Sequence, residues 1–183
     1  MSFLILGVVL FFAIHFVPAT SLKANVVASI GTGPFKGIFS LISALGLALI
    51  IYGLTQASFQ ALWSPPSWAR GLLIAVMPVT VILWCAAEMP NNLKRWVRHP
   101  MLIGMTLWGA GHLIANGDLA STILFASFAV YSVINIISVN ARGSYEAPPP
   151  VSKLWDLGVI TIGLGVYALL FNFHGWFTGM PLL

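Results

Sequence analysis

The chain has 183 residues, of which 59% are hydrophobic and only 7% charged, with a net charge of +4. Soluble domains carry about 25% charged residues, so eight Lys or Arg and four Asp or Glu cannot coat a water-facing surface of this size. Disorder and a disulfide scaffold are excluded, and the scattered basic clusters offer no face that tracks nucleic-acid phosphates.

These proportions predict an all-α, polytopic integral membrane protein, a single bundle over residues 1–183 surrounded by lipid. A helix needs about 20 apolar residues to cross a hydrocarbon core of about 30 Å, and backbone groups cannot go unpaired there. About six transmembrane helices are expected, near 2–22, 37–56, 71–87, 101–115, 119–139 and 157–177. The first block lacks a basic n-region and is longer than a secretory h-region, so it reads as a retained helix. The segment Ala147-Pro148-Pro149-Pro150 reads as a stiff extended connector. Between the fourth and fifth helices stand only Asn116-Gly117-Asp118. Gly117 is expected in a left-handed conformation, with Asp118 capping the helix that follows.

Charge sets the orientation. The connections after the first, third and fifth helices hold Lys23, Lys36, Lys94, Arg95, Arg98, Arg142 and Lys153, whereas the other two hold only Arg70. Seven against one places both termini outside. Trp63, Trp68, Trp96, Trp155 and Trp176 fall near helix ends, where indoles favour the interface. Trp84 and Trp108 lie inside spans and read as bundle packing.

Ionisable groups inside spans are candidates for function. Here they are His15, His112, His99, His174 and Glu88. Neutral imidazole ligates haem iron, and facing helices commonly hold such a group. At 1.5 Å per residue, His15 lies about 12 Å from Lys23 and His112 about 18 Å from Pro100. These depths differ by about 6 Å, a gap one cofactor can bridge. His99, before Pro100, reads as structural, and His174 as interfacial. Glu88 is expected to pair with Lys94 or Arg95. The Gly31–Gly37 run fails the phosphate-loop spacing, Cys85 has no second cysteine for zinc, and no paired carboxylates suggest acid–base work.

Arg98-His99-Pro100, followed by Gly104, Trp108, His112-Leu113 and Asn116-Gly117-Asp118, closely resembles the NnrU family of bacterial membrane proteins. Phe12-Ala13-Ile14-His15 and Pro65-Pro66-Ser67-Trp68 agree with it. The family also contains the 15-cis-zeta-carotene isomerases. Their likeness implies a haem b whose iron is held by His15 and His112, with an axial ligand exchanged on reduction to expose the iron to a polyene. Lys23, Arg95 and Arg98 are then candidates to meet the haem propionates, and His99 a candidate replacement ligand. The bacterial members imply an inner-membrane location and a link to nitrite and nitric oxide metabolism, in which a denitrification-system protein is the partner. A non-enzymatic role in membrane assembly is a further option. Arg-His-Pro with a following Gly also resembles isoprenylcysteine carboxyl methyltransferases, which use S-adenosylmethionine. The stretch Asn140–Pro148 departs from their acidic motif, holding Glu146 as its single Glu.

Overall fold

The computed structural model describes residues 1–143 and 145–179, without the side chain of Phe177. Its helices are α1 (Ser2–Phe16), α2 (Leu22–Ile30), α3 (Thr32–Thr55), α4 (Ala69–Glu88), α5 (Pro100–Ala115), α6 (Leu119–Arg142) and α7 (Lys153–Thr178). Five apolar segments are long enough to cross a membrane, and α5 is a shorter apolar helix. The helical membrane bundle expected from composition is what the chain forms.

Three features differ from expectation. The connection after α1 is no loop: a 3-10 turn at Val17–Ala19 leads into the exposed α2, which packs against α3. Gly31 separates α2 from α3 with a positive φ of 86°, a backbone state open to glycine. Helix α3 then starts five residues earlier than hydropathy suggests. Pro34 falls in its first turn, where amides have no intrahelical partner and a missing N–H costs little.

The α5–α6 hairpin is capped as expected, with Ser121 N–H donating to Asp118 Oδ1 at 2.9 Å. Gly117 serves a different purpose from the one expected, because its φ is not positive. Its carbonyl accepts from Leu62 and Trp63, while Leu119 N–H donates to Gln60 O, and Ala61 forms a bridge with Asp118. A side chain on Gly117 would collide with the Trp63 carbonyl. Close backbone approach, not left-handed geometry, demands glycine here.

The α1–α3 contact is similarly tight. A Cβ on Gly7 would meet the α3 backbone at Ile50, and one on Gly53 would meet the backbone of Leu4. Small residues let membrane helices approach where lipid supplies no hydrophobic drive. Helix α5 lies between α4 and α6, and α4 also contacts α7. The α1–α3 pair joins the rest at α6, through a core of Leu4, Phe12, Ile50, Ala120, Leu124 and Phe128.

Helix α4 contains Pro78, which deprives the Ile74 carbonyl of its helical donor. The Tyr167 hydroxyl of α7 donates to that carbonyl at 3.1 Å. An unpaired carbonyl in an apolar interior costs about 1–3 kcal/mol. Tyr167→Phe is therefore expected to destabilise the protein by about that amount, measured as a lowered thermal midpoint in detergent. An unchanged midpoint would show that the carbonyl finds another donor.

At the opposite end, Asn92 ties three segments together. Its backbone N–H and Nδ2 donate to the two oxygens of Asp156, at 2.7 and 2.8 Å. Its side chain also exchanges hydrogen bonds with the Val151 backbone. This fixes the proline connector and the start of α7 against the α4–α5 connection. The Glu88 pairing is not formed: among the described residues, Glu88 makes no ion pair with Lys94 or Arg95. Asn91 orders the turn instead, donating to Ala86 O and Met89 O and accepting from Lys94 N–H.

Candidate functional site

His15 and His112 are held in the same local way. His15 Nδ1 lies 2.5 Å from the Phe11 carbonyl, and His112 Nδ1 lies 2.9 Å from the Trp108 carbonyl. A carbonyl only accepts, so Nδ1 carries the proton in each and the neutral ring leaves Nε2 with its lone pair. Such a bond at the far nitrogen fixes tautomer and orientation for a metal-binding imidazole. Each ring is also stacked on a phenylalanine. Phe11 lies 4.1 Å from His15 at 25°, and Phe125 lies 4.6 Å from His112 at 24°.

Their surroundings differ. His15 faces α3 and α6, with Phe39 at 5.0 Å and Tyr131 at 6.0 Å. Tyr131 accepts from Asn135 Nδ2 and lies 3.4 Å from the His15 carbonyl. His112 lines an apolar cleft of about 50 Å³ between α4, α5 and α7. Leu73, Met77, Tyr167, Phe171 and His174 share that cleft. Leu170 at its edge is exposed, so the cleft opens on the surface.

The two histidines do not meet. Between them runs a file of rings: His15 on Phe11, Phe11 5.4 Å from Phe128, Phe128 5.4 Å from Trp108, and Trp108 5.4 Å from His112. One iron ligated by both would need their nitrogens about 4 Å apart, twice a metal–nitrogen bond of about 2 Å. In this packing three aromatic rings occupy the path, so a group bridging the pair does not fit without parting α1 from α6. Similar depth along two helices does not place two side chains on facing sides.

The basic candidates also separate. Lys23 is exposed on α2, and Arg95 is exposed on a 3-10 turn, Leu93–Arg95. Arg98 donates to the Gly143 carbonyl at 2.7 Å and lies over the Tyr145 ring. His99 Nε2 is 2.8 Å from Asn140 Oδ1, which joins the start of α5 to the end of α6. Lys94, Arg98, His99 and Tyr145 line a second cleft, of about 370 Å³, at that end of the bundle. The Tyr145 hydroxyl donates to the Lys94 carbonyl. Ser144, within the stretch compared with the methyltransferases, lies outside the described residues.

Sequence reasoning missed the placement of His174, set aside as interfacial. Its sign was available: His112 near the end of α5 and His174 near the end of α7 lie toward the same end of the bundle. The aromatic partners Phe11 and Phe125 follow from spacing only for Phe11, four residues before His15 on one helix face.

Long apolar helices, a sequestered pair of oriented imidazoles and an apolar cleft define a helical, multi-pass membrane protein that contacts lipid. More particularly, the chain belongs to the NnrU family, whose model, described as NnrU protein, matches residues 3–182. No curated protein and no solved structure matches it.

Proposed function

We propose that this NnrU-family protein binds haem b within the membrane, with His112 as an iron ligand and His15, which the aromatic file separates from it, outside that iron's ligand set. One observation carries the reading: the His112 ring is fixed through Nδ1 by the carbonyl four residues earlier, which presents Nε2 as a bare donor. A bound haem supplies a redox-active iron. The protein's own part is to orient the imidazole, through Trp108 O and Phe125, and to keep bulk water away with Leu73, Met77 and Phe171.

The apolar walls bear on what else enters. Burying an unpaired anion in such surroundings is costly, so the cleft suits nitric oxide or the edge of a polyene better than nitrite. Both suited molecules accord with the settings that the family resemblance implies, nitric oxide metabolism and polyene isomerisation.

The test is the visible spectrum of the full chain purified in mild detergent, before and after reduction with dithionite. A Soret band that sharpens and shifts on reduction is expected. A protein that stays colourless after incubation with haemin overturns the reading.

A further inference from the structure

At the end of the bundle away from the turn at 116–118, a cleft of about 370 Å³ lies between the α4–α5 connection, the start of α5 and the segment after α6. Its volume falls in the range of about 300–1,000 Å³ typical of ligand clefts. Lys94, Arg98 and His99 supply its polar side, and Pro100, Met101 and Leu102 much of its apolar side. Among the described residues no Asp or Glu lines it. Glu88 and Glu146 each follow a lining residue in the chain, yet both are exposed outside the cleft. Asp156 is engaged by Asn92.

The cations are prepared for an anion. Arg98 Nη2 donates to the Gly143 carbonyl at 2.7 Å, and the guanidinium lies 5.4 Å from the Tyr145 ring centre. Stacking and that single bond hold the planar fork and leave its other N–H donors open. The Lys94 ammonium makes no hydrogen bond or ion pair among the described residues, although its backbone is tied to Asn91 and Tyr145. Both cations are half-buried, so water and salt screen them less than on an open surface. Beside them, His99 Nε2 lies 2.8 Å from Asn140 Oδ1 and holds α5 against α6.

Location decides which anion. This is the end that the excess of basic residues assigns to the cytoplasmic leaflet. Trp96, two positions before Arg98, is 87% exposed, and Trp155 at the start of α7 is exposed as well. Indoles favour the headgroup level. An apolar track leads from there towards the bilayer core. Met101 of the cleft wall is exposed, and so are Ile137 and Val133, one and two turns back on the α6 face of Asn140. A soluble anion has no use for such a track, whereas basic pockets between membrane helices take anionic lipid headgroups.

We propose that this cleft seats the phosphodiester of one anionic phospholipid, held by Arg98 and Lys94, with its acyl chains along Met101, Ile137 and Val133. The site stands about 18 Å from His112 along α5 and does not depend on the haem reading.

The full chain, purified in mild detergent and depleted of lipid, is titrated with phosphatidylglycerol and with phosphatidylcholine of the same chains. Bound lipid is counted by native mass spectrometry. One phosphatidylglycerol is expected to be retained, with an affinity severalfold above that of phosphatidylcholine. Arg98→Gln and Lys94→Gln should each lower that preference severalfold. Arg98→Lys, which keeps the charge and loses the fork, should fall between. Lys23→Gln, at an exposed cation outside the cleft, should leave it unchanged. The Lys94 side chain holds nothing else in place, so Lys94→Gln decides the matter if Arg98→Gln does not fold. Equal retention of the two lipids, or an equal loss in Lys23→Gln, overturns the proposal. Displacement of phosphatidylglycerol by millimolar inorganic phosphate also overturns it, and makes the cleft a site for a soluble anion.

Discussion

His112→Ala is expected to lower haem affinity by well over 100-fold. Removing only an outer partner of a metal-binding histidine typically costs about 10–100-fold, and here the donor nitrogen itself is lost. Alanine also removes the ring stacked on Phe125, so reduced packing alone would weaken any bound group. His112→Phe separates the two effects, because a planar ring remains beside Phe125 and carries no nitrogen. Both variants should elute as the wild type does in gel filtration and both should lack the Soret band. Haem retained in His112→Phe at wild-type affinity would remove His112 from the ligand set.

The second large effect concerns the α1–α3 contact. A Cβ on Gly53 would collide with the backbone of Leu4, and no rotamer change relieves a backbone clash. Overpacking of this kind costs about 1–3 kcal/mol for small additions and sometimes more. Gly53→Ala is expected to lower the thermal midpoint in detergent by several degrees, and Gly53→Leu to abolish a monodisperse product. Gly165 on α7 is the comparison. An added Cβ there meets nothing within 4 Å, and alanine favours a helix over glycine by about 0.5–1 kcal/mol. Gly165→Ala should match or exceed wild-type stability. Equal behaviour of the Gly53 and Gly165 variants would mean that α1 and α3 adjust freely.

Apolar length made the membrane bundle legible in the sequence, since lipid imposes that length on any spanning helix. The nine residues of α2 escaped notice because a short surface helix with no buried residue leaves no apolar stripe. The Asp118 cap was legible as local chemistry. Gly117 was misjudged because its constraint comes from Trp63, far away in the chain. Histidines inside apolar blocks stood out one by one, yet their pairing depended on which helix face each occupies. Depth arithmetic grouped His15 with His112, while the aromatic file from Phe11 to Trp108 stands between them. The grip of Asn92 on Asp156 is a contact across 64 positions, for which no local pattern gives a sign.

The shortness of α5 has a consequence for how the protein sits in lipid. Its 16 residues rise about 24 Å, against a hydrocarbon thickness of about 30 Å. The turn after it is joined to the segment before α4 by the Gly117 and Gln60 hydrogen bonds, which satisfy backbone groups that would otherwise lie bare at that level. That segment exposes Phe59, Leu62, Trp63 and Trp68. The protein thus answers hydrophobic mismatch with a greasy, aromatic lip instead of a longer helix. Bilayer thickness on this side is registered by that lip, directly above the end of the helix that carries His112.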